Sequence, residues 1–329
     1  MTAEAIRPGI LGTGSCLPEK RLTNHDLEKM VATNDEWILT RTGISERRMA
    51  GKDTATSDLA LQAAKKALED AKVKPEKLDL IIVATITPDM FFPSTACVVQ
   101  NALNAKNAAA FDLSAACSGF VYAVSAACSM ITAGGVKKAL VIGAETLTKV
   151  TNYEDRSSCI LFGDGAGAVV LGPAKRRNVV YSKLGADGSG GHMMYLPGGG
   201  SRRPATMQTV QDKQHYMVIH GREVFKFAVT KMQECIQDAL DACGYTASDI
   251  SLIVPHQVNL RILVAAAEKF GLPMEKVHVN IDKYGNTSAA SIPIALDEAA
   301  RARKLKKGDV VILVAFGAGL TWAAALVEW

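Results

Sequence analysis

Apolar and polar positions along the first half of the chain follow two patterns, one typical of helices and one of buried strands. Residues 57–72 place Leu61, Ala64, Leu68 and Ala71 on one face of a predicted helix. Short apolar runs rich in β-branched residues, at 79–87, 108–113 and 138–144, predict strands buried on both faces. An uncharged helix between the last two runs completes a strand–helix–strand unit.

The second half repeats this order of elements. It predicts, in sequence, a helix at 220–243, a strand at 251–255, a helix at 259–270, a strand at 277–281, a helix at 288–304 and a strand at 309–316. The alternation of helices with buried strands predicts an α/β fold.

Three landmarks recur at nearly the same spacing. The strands that begin at residues 79 and 251 are 172 residues apart, as are VIGA at 141–144 and LVAF at 313–316. The run SAAC at 114–117 has a counterpart in SAAS, which begins 174 residues later. The spacing suggests an internal duplication with halves at residues 1–172 and 173–329, and chance similarity of two α/β stretches is the alternative.

Length and composition agree with this organisation. A chain of 329 residues is long enough for two domains, or for one domain with two halves. With 48% hydrophobic and 21% charged residues, the composition excludes intrinsic disorder, collagen and a coiled coil. The net charge of +4 is too small to indicate nucleic acid as the main partner.

Cysteine usage and the N-terminal sequence predict a cytoplasmic protein. The seven cysteines form no CxxC pair and their number is odd, which favours reduced thiols over a disulfide framework or a zinc site. The first residues, MTAEAIRPGI, lack the apolar stretch of a secretory signal.

No charge occurs between Asp112 and Lys137, a span long enough to cross a bilayer. Its serines and glycines instead predict a strand end, a tight turn and a helix buried inside the protein, with no membrane partner.

Three residues with catalytic side chains follow predicted strands, where functional groups collect in such sheets. Cys117 opens the uncharged helix, and the positive end of a helix macrodipole is expected to lower its pKa. His256 directly follows the strand at 251–255, and Asn286 lies in the turn after 277–281. By the duplication, the turns that carry Cys117 and Asn286 are counterparts, and we expect them to meet face to face.

A Cys, His and Asn that converge support two chemistries. In a papain-like protease the Asn orients the His, but nothing here resembles the local signature around the Cys of those enzymes. Alternatively, His256 and Asn286 both donate hydrogen bonds to a thioester carbonyl and stabilise an enolate as a malonyl group loses carbon dioxide. Taken singly, each residue also has a structural interpretation, as a buried thiol, a loop histidine or a turn former.

Glycine-rich segments give weaker signals. Gly317-Ala318-Gly319 follows a strand, so its backbone N–H groups could form an oxyanion hole, although a bulge or tight turn explains it equally well. The run GDGAG at 163–167 precedes a strand, which argues against a dinucleotide-binding turn.

Basic clusters such as RARKLKK at 301–307 suit a solvated surface, or docking to an acidic carrier protein.

Over residues 6–329 the chain resembles the β-ketoacyl-acyl-carrier-protein synthase III family of thiolase-like condensing enzymes. The resemblance rests on TNDEWILTRTGI (33–44), DLSAACSGF (112–120), FGDGAGA (162–168), PHQVNLRI (255–262), YGNTSAASIP (284–293) and FGAGLTW (316–322). It implies a five-layered αβαβα fold with two pseudo-symmetric halves, a homodimer, no metal and no cofactor. The substrates would be a short acyl-coenzyme A and malonyl-acyl carrier protein, condensed at the start of type II fatty acid synthesis.

The resemblance also implies roles for individual residues. Cys117 matches the nucleophile, His256 and Asn286 the decarboxylation pair, and the backbone N–H groups of Cys117 and Ala318 the oxyanion hole. The residues that match coenzyme A contacts are Thr33, Trp37, Arg41, Arg156, Gly221 and Asn259. Phe92 matches a residue that closes the primer pocket across the dimer. The segment that matches the carrier-protein docking region consists of Gln257, Val258, Asn259, Leu260 and Arg261. Two positions depart from the family pattern, Val258 in place of Ala and Ala318 in place of Gly.

Three rival functions stay open at this point. The acyl group could pass to a different acceptor in specialised metabolism, although Asn286 and Arg261 favour carbon–carbon bond formation. A hydroxymethylglutaryl-type synthase lacks the NTSAAS turn and adds a catalytic glutamate. A non-catalytic partner subunit usually loses the nucleophile, whereas Cys117 is present.

Overall fold

The computed structural model describes residues 7–329. Residues 1–6, which belong to the stretch predicted to lack a secretory signal and to the predicted first half, lie outside the described residues. The strands, in chain order, are β1 Pro8–Cys16, β2 Arg21–Thr23, β3 Glu46–Arg48, β4 Leu80–Ala84, β5 Ala109–Leu113, β6 Ala139–Thr146, β7 Asp164–Pro173, β8 Asn178–Ala186, β9 Met194–Tyr195, β10 Val218–Ile219, β11 Ile250–Pro255, β12 Val310–Gly317 and β13 Thr321–Glu328. The α-helices are α1 Asn24–Glu28, α2 Asp35–Thr42, α3 Thr56–Ala71, α4 Thr95–Ala102, α5 Gly119–Thr132, α6 Arg156–Cys159, α7 Met207–Gln211, α8 Gly221–Cys243, α9 Leu260–Lys269, α10 Ile281–Tyr284 and α11 Ser291–Arg301.

Nine strands form a continuous mixed sheet that consists of two parts. The first part has the order β1-β7-β6-β4-β5, and the second has the order β11-β12-β13-β8. Among the described residues, the antiparallel pair Gly9–Asn178 joins the two parts of the sheet, between β1 and β8. Within each part the strands before and after the central helix run parallel, since β4 pairs in parallel with β5 and β6, and β11 with β12. The predicted boundary at residues 172 and 173 falls on the last two residues of β7, and the division itself stays a prediction.

Helices separate and cover the two parts of the sheet. Side chains of α5 and α11, such as Phe120 and Ile292, form one core with residues of both parts, such as Ile82 and Leu313. A second core lies under α3 and α4 on the outer face of the first part, and a third lies under α8 and α9 on the outer face of the second. The result is a five-layered αβαβα arrangement, and the predicted fold class is confirmed.

The uncharged stretch after Asp112 forms the buried helix that the sequence predicts. Helix α5 lies between the two parts of the sheet, and Phe120, Val121 and Ile131 on it are fully buried. Among the helices described, none combines the length and the apolar character needed to cross a membrane.

Two expectations about strands are wrong. The run at 108–113 was expected to be buried on both faces, but β5 is the edge of the sheet and Phe111 is 38% exposed. The strand expected at 277–281 does not form, because Val277 makes only an isolated bridge to Ile253 and the chain then enters α10.

The two helix-opening turns correspond at the same spacing as the strands. The N-terminal turn, Ala116–Ser118, and the C-terminal turn, Ser288–Ala290, are both single 3₁₀ turns that lead directly into a central helix. Each begins with a left-handed residue, Ala116 at φ 47° and Ser288 at φ 48°. Ala116 therefore corresponds to Ser288, 172 residues later, and the pairing of SAAC with SAAS at 174 is wrong by two positions.

The C-terminal turn packs against β6 with no room for a side chain. A Cβ atom at Gly143 would lie 2.2 Å from the carbonyl oxygen of Ala289. Gly143 thus allows the backbone of the C-terminal turn to lie directly on the first part of the sheet.

Gly143→Ala should therefore destabilise the protein. Overpacking of a rigid backbone contact costs about 1–3 kcal/mol of unfolding free energy, which thermal unfolding followed by circular dichroism will show as a lower Tm. Gly135→Ala is the matched control, because a Cβ there meets open space. Equal Tm values for the two variants would contradict this account of the contact.

Candidate active site

Cys117 lies in the N-terminal turn, at the edge of a largely apolar cavity of about 720 Å³. Apolar residues from several elements line this cavity, among them Met90, Phe91, Leu147 and Leu196. The backbone of Gly317 packs against the turn, and a Cβ there would lie 2.7 Å from the Cys117 nitrogen. The sulfur therefore faces a space that suits a short apolar acyl chain.

The Cys117 thiol is protonated in the substrate-free protein. Burial raises its pKa to about 12, because the thiolate is poorly solvated there; the neighbouring Ser288 hydroxyl lowers the pKa, and the Glu145 charge raises it. The lowered pKa expected from the helix N-terminus is therefore wrong for this state. Reaction at Cys117 requires a group that accepts the thiol proton.

His256 follows β11 and is held through its backbone and one ring nitrogen. Its backbone N–H donates to Val314 O at 2.8 Å, and its Nδ1 lies 2.7 Å from Ser291 Oγ. The Nε2 atom is buried and has no hydrogen-bond partner. Burial lowers the pKa of the imidazole to about 3, so the ring is neutral at physiological pH.

Asn286 is held in place through both its backbone and its side chain. Its N–H donates to Leu161 O at 2.8 Å, and its carbonyl accepts from Gly163 N at 3.0 Å. The side-chain Oδ1 accepts from Ser288 N at 2.8 Å. Because Oδ1 is engaged, the Nδ2 group is the one that remains to donate to a ligand.

Ser288 connects the three predicted catalytic residues. Its N–H binds Asn286 Oδ1, and its carbonyl accepts from Ser291 Oγ at 2.9 Å, which in turn contacts His256. Its hydroxyl neighbours the Cys117 thiol. The structure thus brings Cys117, His256 and Asn286 together around a single turn that the first part of the sheet supports.

The other predicted oxyanion-hole residue also reaches this site. Ala318 follows β12 and lines the same cavity as Cys117, as do Gly319 and Thr321. Thr321 Oγ1 donates to Ala115 O and to Ala318 O, both at 3.1 Å, and so ties the segment after β12 to the segment before Cys117.

Two of the predicted coenzyme A residues, Arg41 and Arg156, pack against a third, Trp37. The guanidinium carbons of Arg156 and Arg41 lie 4.7 and 5.1 Å from the centre of the Trp37 ring. Arg156 also donates to Ala32 O at 3.1 Å. An adenine can enter between Trp37 and Arg156 only if the guanidinium withdraws from the ring.

Of the remaining predicted coenzyme A residues, Asn259 contacts Arg41. Asn259 caps α9 and donates through Nδ2 to Arg41 O at 2.9 Å. Gly221 is exposed at the first residue of α8, and Thr33 Oγ1 is buried without a hydrogen-bond partner.

The predicted docking segment is shorter than the sequence suggested. Gln257 is 1% exposed, donates to Pro255 O and His278 O, and accepts from the backbone N–H groups of residues 280 and 281. It positions the loop that leads to Asn286, so its inclusion in a docking surface is wrong. Val258 and Leu260 are partly buried in neighbouring cores, whereas Arg261 is exposed.

Phe92 does not line the cavity of its own chain. It is 84% exposed, and Phe91 is 80% exposed. The cavity wall includes Phe91 and Met90 instead.

Sequence reasoning missed Glu145, Ser288 and Ser291. Glu145 is a fully buried carboxyl at the end of β6, and a single carboxylate in the apolar run VIGAE was the available signal. The two serines lie in the YGNTSAASIP motif, where only Asn286 was assigned a role.

Comparison with known proteins identifies relatives over the whole chain. Residues 111–188 match the model of 3-oxoacyl-[acyl-carrier-protein] synthase III, and residues 240–329 match that of its C-terminal part. The beta-ketoacyl-[acyl-carrier-protein] synthase III of Caldanaerobacter subterraneus is 58% identical and that of Clostridioides difficile 54%, with 99% and 98% of both chains covered. The crystal structure of 3-oxoacyl-[acyl-carrier-protein] synthase III from Aquifex aeolicus superposes with a TM-score of 0.91 at 50% identity, covering 98% of this chain and 100% of that one.

The buried imidazole predicts a pH dependence of stability. The pKa of His256 is about 3 in the folded chain, against an ordinary value of 6.5. As the pH falls below 6.5, His256 binds a proton in the unfolded chain but not in the folded chain. The free energy of unfolding therefore falls by up to about 1.4 kcal/mol per pH unit. Calorimetry of the wild type and His256→Gln at about pH 7 and pH 5 should show the wild type losing more stability. Parallel losses would contradict a neutral, buried imidazole.

Proposed function

The chain belongs to the 3-oxoacyl-[acyl-carrier-protein] synthase III family, and we propose that Cys117, His256 and Asn286 carry out the family's condensation in two half-reactions. The enzyme joins a short acyl-coenzyme A primer to malonyl-acyl carrier protein and initiates fatty acid synthesis. The observation that carries the assignment of residues is the convergence of all three side chains around Ser288.

In the first half-reaction, the Cys117 sulfur attacks the thioester carbonyl of the primer. The backbone N–H groups of Cys117 and Ala318 stabilise the charge on the carbonyl oxygen, since Ala318 borders the same cavity. Coenzyme A leaves as a thiol, and the acyl group stays on Cys117 with its chain in the apolar cavity.

In the second half-reaction, malonyl-acyl carrier protein occupies the site that coenzyme A has left. His256 Nε2 and Asn286 Nδ2 donate hydrogen bonds to the malonyl thioester oxygen, and this stabilises the enolate as carbon dioxide departs. The enolate carbon attacks the acyl carbonyl and releases the Cys117 sulfur. This role needs the ring proton on Nε2, which requires the Ser291 hydroxyl to turn from Ser288 O to His256 Nδ1.

Coenzyme A and the carrier protein would approach from the side of Trp37 and Arg261. Thr33, Trp37, Arg41, Arg156, Gly221 and Asn259 are the proposed coenzyme A contacts. Arg261 is the proposed docking cation, and its guanidinium lies 5.5 Å from the Phe225 ring at the start of α8. Coenzyme A thioesters are substrates in this scheme, which uses no resident cofactor, and we expect a cytoplasmic location.

A homodimer would explain two exposed apolar features. The outer edge of β5 lacks a neighbouring strand within the described chain, and Phe111 on it is partly exposed. Phe91 lines the cavity and is exposed, and its neighbour Phe92 is exposed as well. We therefore assign Phe92 to the primer pocket of a second copy of the chain.

Loss of either hydrogen-bond donor should separate the two half-reactions. A single donor of this kind is worth about 3 kcal/mol, so His256→Ala and Asn286→Ala should slow carbon dioxide release from malonyl-acyl carrier protein by about a hundredfold or more. Mass spectrometry after incubation with acetyl-coenzyme A should still detect the adduct on Cys117. Equal loss of both half-reactions in Asn286→Ala would count against the assignment, and transfer to another acceptor predicts no carbon dioxide release.

Charge reversal at Arg261 should weaken carrier-protein docking alone. Arg261→Glu is expected to raise the KM for malonyl-acyl carrier protein by about tenfold or more, with a weaker salt dependence, because an exposed cation is lost. The exposed Lys269, at the other end of α9, supplies the control variant, Lys269→Glu. A matching rise in the KM for acetyl-coenzyme A in Arg261→Glu would contradict a role specific to the carrier protein.

A further inference from the structure

Glu145 is a buried carboxyl group beside the active site that the two half-reactions above do not use. It lies at the end of β6 with no exposed surface. The Thr87 hydroxyl donates to it at 2.5 Å and the Thr85 hydroxyl at 3.2 Å, and the backbone N–H groups of Ile86 and Thr87 add bonds of 3.2–3.3 Å. This cradle of donors holds a carboxylate in one orientation.

The carboxyl group faces the C-terminal turn. The C-terminal turn packs on β6 at Gly143, two residues before Glu145, and Ser288 lines the same cavity as Cys117. The Ser288 hydroxyl lowers the pKa of both the Glu145 carboxyl and the Cys117 thiol. Ser288 is 1% exposed, and its oxygen makes no hydrogen bond of ordinary geometry in the substrate-free chain. It is therefore free to bridge the two groups. All the groups that bond Glu145 in its cradle are donors, so Ser288 Oγ is the unengaged acceptor for a proton on this carboxyl.

The protonation equilibria of the two groups suit a transfer between them. Burial raises the pKa of Glu145 to about 7, and the hydrogen bonds from Thr87, Ile86 and Thr85, together with the nearby Ser288 hydroxyl, partly offset this rise. The groups that face it are the threonine hydroxyls after β4, the Ser288 hydroxyl of the C-terminal turn and the titratable Cys117 of the N-terminal turn. Because its pKa lies near physiological pH, Glu145 can take up and release a proton readily.

We propose that Glu145 accepts the Cys117 thiol proton through the Ser288 hydroxyl when the primer acylates Cys117. The thiol proton passes to Ser288 Oγ as the Ser288 proton passes to Glu145, and the sulfur bonds to the acyl carbon. The carbon–sulfur bond to coenzyme A then breaks, and the proton returns from Glu145 through Ser288 to the departing coenzyme A sulfur. The inference rests on the proposed function, since it assigns the proton acceptor of its first half-reaction.

His256 is the competing proton acceptor. Its Nε2 atom is free, but the pKa of the ring is lowered to about 3, so a proton is held there far less well than on Glu145. The two half-reactions therefore use different residues: Glu145 and Ser288 act in acylation, and His256 and Asn286 act in decarboxylation.

The test measures the rate of Cys117 acylation by acetyl-coenzyme A against pH, by rapid quench and intact-protein mass spectrometry. The variants are Ser288→Ala and Glu145→Gln. Ala116 adopts the same left-handed conformation at the corresponding turn, so alanine at position 288 keeps the backbone. Ser118→Ala is the matched control, because Ser118 Oγ is also buried and unpartnered beside Cys117.

The wild type and Ser118→Ala should acylate at a rate that rises with pH and levels off above about pH 7, as Glu145 ionises. Ser288→Ala and Glu145→Gln should be slower by about tenfold or more at pH 8, and their rates should keep rising up to at least about pH 9 as the thiol itself ionises. If Glu145→Gln fails to fold, Ser288→Ala decides alone. A wild-type plateau in Ser288→Ala would overturn the inference, whereas absence of the adduct in the wild type would overturn the proposed function itself.

Discussion

The direct packing of the C-terminal turn on β6 is the constraint on which the site depends. Ser288 adopts a left-handed conformation that costs a non-glycine residue about 1 kcal/mol or more, and the glycine at position 143 leaves room for the turn. In this conformation the Ser288 N–H points to Asn286 and its carbonyl to Ser291. A local backbone feature thereby sets the positions of Asn286 and of Ser291, which contacts His256.

Burial gives this site its electrostatic character. The same exclusion of water raises the pKa of Cys117 and lowers that of His256, so thiol and imidazole are both neutral before substrate binds. A neutral site makes fixed hydrogen-bond donors effective toward an oxygen that becomes negative during the reaction. It also means that proton transfer must accompany acylation, and this gives Glu145, the carboxyl group next to the turn, its importance.

The sequence predicted most of the framework and the three candidate catalytic residues, because apolar periodicity and strand-end positions are local signals. Properties set by packing were not predictable in this way. The thiol pKa of Cys117 depends on burial by distant segments, and Gln257 is internal because its amide satisfies backbone groups of a loop more than twenty residues further on. Val277 looked like part of a strand by composition, yet too few backbone partners are aligned for a ladder to form there.

A crystal structure of the Cys117-acetylated protein with a non-decarboxylating malonyl thioester bound is the most direct test of the roles assigned to Cys117, His256 and Asn286. The account predicts the acetyl carbonyl oxygen within about 3 Å of the Cys117 and Ala318 nitrogens, and the malonyl thioester oxygen within about 3 Å of both His256 Nε2 and Asn286 Nδ2. A malonyl thioester oxygen that contacts only one of these two side chains, or neither, would contradict it.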